Sequence, residues 1–489
     1  MESEIAAAFA KLLRDAPARP LIHQPALDRV FTVADVDAAA VVIDRALAAA
    51  GVGPRGLLAA QIGNRAAAVA AFLACRRRGS TYLPLDVGTT AAEIEDIGCR
   101  FGVAAVLLAT PQRIHGYRRL LPFVDGLTLA MADVDPGDSR HRDAVLLKMT
   151  SGSSGTPRAT STPESVLVAD TRTLMEAMGI RPCDIVVAAI PMSHAYGFGH
   201  LLVPALMQGS ALLLRETFVP HRLPDDVRRV GARVYPGVPF MFDHFAKNPP
   251  AGGWPPSLTQ LITAGAPIER TLVETFKALF GVKIHSFYGT SETGGIAFDD
   301  TDEPAEEGLV GTILPGVTVT LVREDGVAPD LGRVHVRGPA VIGAYANGVD
   351  TDVFVDGGFL TGDLGSIDRR GRLALGGRVS SFVNVAGRKV QPDEVERVLR
   401  SMEAIADARV IGVADAARGE QLVAAVVVDG VPPTTVMLRQ FCGARLAPHK
   451  IPRSFVVVDR IPLTERGKTD RRALEALILD GLRRQAGML

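Results

Sequence analysis

The stretch Thr150-Ser151-Gly152-Ser153-Ser154-Gly155-Thr156-Pro157 gathers five hydroxyl groups around two glycines. Thr150, Ser151, Ser153, Ser154 and Thr156 can each donate to an anionic oxygen, while Gly152 and Gly155 let backbone N–H groups approach the same anion. The stretch reads as a phosphate cradle, and from composition alone also as a flexible Ser/Gly linker. A Walker loop fails on spacing, because Pro157 stands where Gly-Lys-Ser/Thr would begin. A nucleophile elbow, Gly-x-Ser-x-Gly, fails too, because only two residues separate Gly152 from Gly155.

A second constellation is Phe287-Tyr288-Gly289-Thr290-Ser291-Glu292-Thr293-Gly294-Gly295. A purine can stack on Tyr288, Thr290 and Ser291 can bind phosphate, and Glu292 can hold the Mg²⁺ that neutralises a triphosphate. Read alone, it is equally a decorated turn. Leu360-Thr361-Gly362-Asp363 offers an acid able to accept from both ribose hydroxyls, Gly377-Arg378 a cation, and Leu463-Thr464-Glu465-Arg466-Gly467-Lys468-Thr469 a loop presenting one lysine. A lone Gly-Asp is often only a turn, and single cations are usually solvated.

Elements must position these groups. A helix is expected over residues 31–50 behind a Thr32 cap, and another over Arg65–Arg78 behind Gly63 and an Asn64 cap. Gly51-Val52-Gly53-Pro54-Arg55-Gly56 matches a dinucleotide pattern in the wrong order, helix before strand, and is discounted. Apolar runs at Leu57–Ala60, Ala104–Leu108, Ala144–Leu147, Ile185–Ile190, Ala211–Leu214, Leu261–Ala264, Val282–His285 and Val334–Val336 alternate with helical stretches, the pattern of an α/β fold. After about residue 378 the texture changes. Pro392-Asp393-Glu394-Val395-Glu396 opens a helix with proline in its first turn and acids at its positive end, and two strand-like runs follow, Ala408–Val413 and Leu422–Val428.

Bulk properties narrow the partners. With 53 Lys and Arg against 54 Asp and Glu, no net field is available to hold nucleic acid or an anionic membrane. Cys75, Cys99, Cys183 and Cys442 lack metal-ligand spacing and suit a reducing cytoplasm. Met1-Glu2-Ser3-Glu4-Ile5 does not open a signal peptide, and no stretch approaches the roughly 20 apolar residues of a membrane span.

In this order and at these separations, the five constellations resemble the adenylate-forming superfamily of acyl-CoA synthetases, peptide-synthetase adenylation domains and luciferases. The resemblance extends to Tyr82-Leu83-Pro84-Leu85-Asp86, Pro191-Met192-Ser193-His194-Ala195-Tyr196-Gly197, Ala264-Gly265-Ala266-Pro267 and Leu446-Ala447-Pro448-His449-Lys450-Ile451-Pro452, and so covers nearly the whole chain. It implies a large N-terminal α/β domain of sheets flanked by helices, residues 1–378, and a small mobile α+β domain, residues 379–489. It also implies a two-step reaction. A carboxylate attacks the α-phosphate of Mg·ATP, giving acyl-adenylate and pyrophosphate, and a thiol then displaces AMP.

The same resemblance implies the roles. The 150–157 stretch and Arg158 hold the β- and γ-phosphates, Glu292 the metal, and Thr290 and Ser291 the α-phosphate. Tyr288 stacks on the adenine, Gly265, Ala266 and Gly289 belong to the same nucleotide site, and Asp363 and Arg378 hold the ribose. Lys468 bridges the attacking carboxylate and the α-phosphate. The acyl pocket is lined by His194, Tyr196, Gly197, Tyr235, Gly237, Val238, Ala264, Gly265, Gly294 and Gly295, with His194 also readable as a core histidine. Ala386, Gly387, Arg388 and Lys389 offer a pantetheine passage and cations for coenzyme A phosphates, or a solvated basic turn. Three departures stand out: Pro157-Arg158-Ala159 replaces Pro-Lys-Gly, Ser286 replaces an adenine-reading amide, and Ser380 replaces the usual hinge acid or lysine. The expected activity is an ATP-dependent acid–thiol ligase, foremost an acyl- or aryl-CoA synthetase. The alternatives are an acyl-AMP ligase loading a carrier-protein phosphopantetheine, and a non-catalytic nucleotide-binding protein of the same fold.

Overall fold

Alternation along the strand Leu57–Gln61 sets the layers of the larger part of the chain. Leu58 and Ala60 join one hydrophobic core, whereas Leu57 and Ala59 join another, on the opposite face, with Ile94, Ile97 and Phe101 of the helix Ala91–Phe101. The structure, a computed structural model, describes residues 3–122, 126–134, 141, 143–150, 158–324, 327–348, 351–379, 383–385, 388–390, 392–415, 419–446, 448–464 and 469–485. Contacts divide the chain into two compact units. One comprises Met1–Val319, Val336–Leu360 and Arg369–Leu373, and the other Thr320–His335, Thr361–Asp368 and Ala374–Leu489.

The larger unit holds two sheets. In the first, the strand order is Tyr117–Pro122, Thr128–Ala132, Val103–Leu108, Leu57–Gln61, Thr81–Pro84, Leu146–Thr150, Arg158–Thr162, parallel in the middle and antiparallel at both ends. In the second, Ile284–Thr290, Gln260–Thr263, Val234–Gly237, Ile185–Ala188, Ala211–Leu214 and Pro20–Gln24 run parallel in that order, and Gly294–Phe298 pairs antiparallel with Ile284–Thr290. Parallel strands covered on both faces need the continuous apolar runs seen in the sequence.

Of the three helices expected from local signals, two begin where expected, at Val33 and at Pro392. Val33–Ala49 begins at Thr32, whose hydroxyl and Asp35 form a reciprocal cap. The second helix differs from expectation in two ways. It begins at Ala66 with Arg65 at its N-cap, and Ala66–Arg76 are all buried, so its small side chains pack on every side. Asn64 is not its cap. It is 3 % exposed, and its Nδ2 donates to the carbonyls of Ala188 (3.1 Å), Ile190 (2.8 Å) and Arg215 (3.2 Å), while its Oδ1 accepts from Met192 N (2.8 Å). An amide that satisfies buried backbone groups of the facing sheet outweighs a helix cap that water can replace.

The smaller unit repeats the alternation. Ile405–Asp415 pairs antiparallel with Gly419–Val428, and Ser454–Val457 pairs with the latter in parallel. Leu422, Ala424 and Val426 pack under the helix Pro392–Arg400, while Val423 and Ala425 meet Leu474 and Ile478 of the helix Arg471–Gln485.

Two stability predictions follow from buried polar groups. Asn64→Leu takes the amide from three backbone groups, Ile190 O, Arg215 O and Met192 N, and is expected to lower the unfolding free energy by about 3–5 kcal/mol in urea denaturation; a loss under about 1 kcal/mol would show the pin to be dispensable. Glu396, 7 % exposed, accepts from Val410 N at 2.9 Å, and burial pushes its carboxyl up to about 7 against the pull of that N–H and of Arg409. The folded unit therefore holds this proton more tightly than the unfolded chain, and its stability falls as pH rises from the unfolded value of 4.5 to about 7. Glu396→Gln keeps the acceptor and removes the charge. Thermal melts at about pH 5 and pH 8 should show the variant gaining about 1–2 kcal/mol over wild type only at the higher pH.

Candidate active site

The hairpin of Ile284–Thr290 and Gly294–Phe298 carries the second constellation, with Thr290 opposite Gly294 and Gly289 opposite Gly295. The strand extends well beyond the expected Val282–His285, so Phe287, Tyr288, Gly289 and Thr290 belong to it. Thr290 Oγ1 accepts from the backbone N–H groups of Glu292 and Thr293, both at 3.2 Å, and closes the turn. That sets the backbone of Glu292 and of the half-buried Ser291 beside it. Tyr345 then fixes the Glu292 side chain, its hydroxyl donating to Oε1 at 2.9 Å. Burial, and next the Glu292 charge, hold the Tyr345 phenol well above its ordinary value, so it stays protonated and remains the donor.

Tyr345 is itself anchored to the end of the phosphate stretch. It bridges Thr160, Ala346 N donates to Ala159 O (2.8 Å), and Ser161 N to Ala344 O (3.3 Å). The Arg158 guanidinium lies 5.7 Å from the Tyr345 ring centroid, and Thr150 pairs with Arg158 across the strands that bracket residues 151–157. Thr150, Arg158, Tyr345 and Glu292 thus form one cluster. Ser151, Gly152, Ser153, Ser154, Gly155 and Thr156 lie outside the described residues.

A second group gathers where the strands of the parallel sheet end. His194 Nε2 stands 3.3 Å from Asp86 Oδ2, joining two motifs far apart in sequence. Tyr196 donates to Ile262 O at 3.1 Å and stacks on Phe287 with centroids 5.9 Å apart. Gly197 packs so closely that a Cβ there would fall 2.2 Å from Pro191 O. Tyr235 is fully buried, its ring 5.2 Å from Phe242, and Gly237 lies against the same phenylalanine. Val238 caps the helix Pro239–Lys247. Ala264 is buried, Gly265 turns the chain at φ +82°, and Ala266 follows it. Tyr288 is 8 % exposed, and Ser286, in the strand's preceding turn of the pleat, is buried.

In the smaller unit Arg378 Nε lies 2.7 Å from Asp363 Oδ1, and Asp363 N donates to Thr361 Oγ1 at 3.1 Å. Arg388–Val390 pairs antiparallel with Val383–Val385, placing Arg388 and Lys389 on a short hairpin strand. Ala386, Gly387, Ser380 and Lys468 lie outside the described residues.

Four polar side chains near the site went unremarked in the sequence, and a fifth, Asn64, was read there only as a cap. Tyr345 and Asn64 act through long-range partners. Lys148 interrupts an apolar run just before the phosphate stretch, and that charge was a usable signal. Asp170 and His200 sit among apolar neighbours on helical segments and carried no local pattern.

The donor set bears on magnesium. Among the described residues no group of three or more His, Cys, Asp or Glu could cage an ion. Mg²⁺ keeps several waters and binds through one or two carboxylates plus substrate phosphates, so one oriented carboxylate, Glu292, clustered with Thr150 and Arg158, fits a metal delivered on a triphosphate.

The AMP-binding enzyme family profile matches residues 9–346, and that of the AMP-binding enzyme C-terminal domain matches 394–468. Among curated proteins, the chain is 28 % identical over 465 residues to an indoleacetate–CoA ligase of Aromatoleum aromaticum, covering 88 % of this chain and 90 % of that protein. It is 28 % identical over 456 residues to a feruloyl-CoA synthase of an Amycolatopsis species, covering 90 % and 92 %. Among solved structures it superposes on ATP-bound MatB from Rhodopseudomonas palustris with a TM-score of 0.81 at 25 % identity, covering 96 % of this chain and 98 % of that one.

The Tyr345–Glu292 bond generates a prediction. Tyr345→Phe removes one hydrogen bond to a charged group, worth about 1–2 kcal/mol, and frees the carboxylate to rotate. The Mg²⁺ concentration giving half-maximal ATP–pyrophosphate exchange should rise about five- to twentyfold, with thermal stability nearly unchanged. An unaltered magnesium dependence would remove Tyr345 from this role.

Proposed function

The chain belongs to the AMP-binding enzyme family, and on that premise we propose that it is an ATP-dependent carboxylic acid–thiol ligase working through an acyl-adenylate, with coenzyme A as the thiol. One observation carries the assignment of residues. The acid assigned to the metal, Glu292, is held by Tyr345, and Tyr345 is held by the strand that leaves the phosphate stretch. Fixed charges and dipoles that need no rearrangement when the α-phosphate is attacked are the largest catalytic contribution open to such a site.

In the first step the acid's carboxylate attacks the α-phosphorus of ATP, and the bond to the bridging oxygen breaks to release pyrophosphate. Magnesium, when bound on ATP, neutralises the phosphate charge. Glu292 orients that complex, and Tyr345 keeps Glu292 from turning away. Residues 150–156 and Arg158 receive the leaving phosphates, Thr290 and Ser291 the α-phosphate, and Lys468 the charge shared between carboxylate and phosphate. Tyr288 takes the adenine, with Gly265, Ala266 and Gly289 in the same nucleotide site, and Asp363 with Arg378 the ribose diol. In the second step the thiol displaces AMP from the acyl carbon; Ala386 and Gly387 line its approach, and Arg388 and Lys389 meet the coenzyme A phosphates.

His194, Tyr196, Gly197, Tyr235, Gly237, Val238, Ala264, Gly294 and Gly295 are assigned to the acyl side. The domain boundary is placed after Arg378, with Ser380 the residue about which the small domain changes its task between the two steps. The scattered cysteines favour the cytoplasm as its setting, and among the described residues no helix is long and apolar enough to cross a membrane.

A split between half-reactions tests the mechanism. Lys468→Ala should cut pyrophosphate exchange by about a hundredfold or more, since a charge aimed at the transition state is removed, yet leave thioester formation from supplied acyl-adenylate within about threefold of wild type. Equal losses in both assays would refute the assignment, and no exchange by the wild-type protein with any carboxylic acid would refute the ligase reading itself.

A further inference from the structure

The helix Glu164–Ala177 turns Leu167, Val168, Thr171, Leu174 and Met175 into the core, and Asp170 sits within the same surface. A carboxylate there does nothing for solubility. Its Oδ1 accepts from Gly295 N at 2.8 Å. Gly294 approaches so closely, at φ +64°, that a Cβ would lie 2.3 Å from that oxygen, and a Cβ at Gly199 would lie 3.5 Å from Oδ2. Two glycines therefore leave the carboxylate room on both sides, and Asp170 keeps part of its surface accessible. Strand alternation puts Lys148 on the face of Leu146, in the core the two sheets share, where it is 7 % exposed. Burial weakens its hold on a proton and raises the Asp170 carboxyl, while the attraction between the two charges opposes both shifts. The Gly295 N–H and the Lys148 charge both favour the ionised Asp170 carboxylate against that burial.

His200 adds an independent observation. It lies on Phe198–Leu202, against which the Asp170 helix packs. Its Nδ1 is 2.9 Å from Tyr196 O, which can only accept, so Nδ1 carries the proton. Burial pushes the imidazole down to about 4, and the ring is neutral. Nε2 is then a bare acceptor, buried and without a hydrogen-bond partner among the described residues. The ring meets Tyr196 at 4.6 Å and Phe287 at 4.8 Å, an aromatic wall beside Gly294 and Gly295.

Resting on the ligase reading, we infer that Asp170 and His200 form an acceptor-only floor to the acyl site, which recognises a hydroxyl or N–H donor borne by the acid on its ring, away from the carboxylate being activated. A buried acceptor left unpaired by a substrate lacking that donor is penalised, and sites built on such pairing discriminate strongly against the deoxy analogue.

The test is ATP–pyrophosphate exchange by the full-length protein with benzoate, phenylacetate and 3-phenylpropionate, each beside its three monohydroxy isomers. At least one hydroxy isomer should exceed its parent by about tenfold or more in kcat/KM, and in Asp170→Asn that ratio should fall toward unity. The wild-type ratios decide the matter even if the variant does not fold. Parents matching or exceeding all their hydroxy isomers would overturn the donor floor and leave the ligase reading intact; water would then be the partner of these acceptors. A hydroxy preference that survives intact in folded Asp170→Asn and His200→Phe would also overturn it. Exchange with no acid in a wider panel would instead overturn the ligase reading.

Discussion

One buried amide ties the larger unit together. Asn64 leaves the strand Leu57–Gln61 of one sheet and satisfies carbonyls at Ala188, Ile190 and Arg215 of the other, while accepting from Met192 N. Ile190 and Arg215 lie just past the ends of their parallel strands, while the Ala188 carbonyl also accepts from Arg215 N at 3.2 Å. Leaving such groups unpaired in a dry core costs more than the bonds return in net stability, so the register between the two sheets is held tightly. The segment 191–200 hangs from this point. Gly197 packs on Pro191 O, His194 reaches Asp86, and Tyr196 stacks on Phe287.

Electrostatic order in the site follows the same logic. Glu292 is held from two directions, through Thr290 at its backbone and Tyr345 at its carboxylate. Lys148 is buried close by and feels both Asp170 and Glu292. Charges taken out of water are expensive unless paired, and an arrangement that keeps them fixed before substrate arrives is what a reaction developing charge on phosphate needs.

Membership of the AMP-binding enzyme family rests on most of the chain, whereas the individual roles are proposals carried over from the motif resemblance. Fold alone does not assign chemistry, because one architecture carries many reactions. Asp170, on the helix Glu164–Ala177, and His200, on Phe198–Leu202, are acceptors of this chain's own side chains, and the donor floor proposed for them concerns which acid enters rather than how it is activated.

Wherever the cause was local, the sequence alone determined the outcome. The Thr32–Asp35 cap started its helix at Val33, Pro392 started another, and the apolar runs at Ala211–Leu214 and Ala104–Leu108 became buried strands, because each signal and its effect lie within a few residues. The motifs carrying Thr150, Arg158 and Glu292 were legible for the same reason. Partners chosen by the packing of sheets were not legible. Asn64 looked like a cap because nothing nearby reveals the carbonyls more than a hundred residues away that claim it. Tyr345 finds Glu292 across 53 residues only because its segment pairs beside Arg158–Thr162, and Asp170 meets Gly295 only because its helix lies on the hairpin. Those pairings depend on strand register and helix packing, quantities that exist only once distant parts of the chain have been brought together.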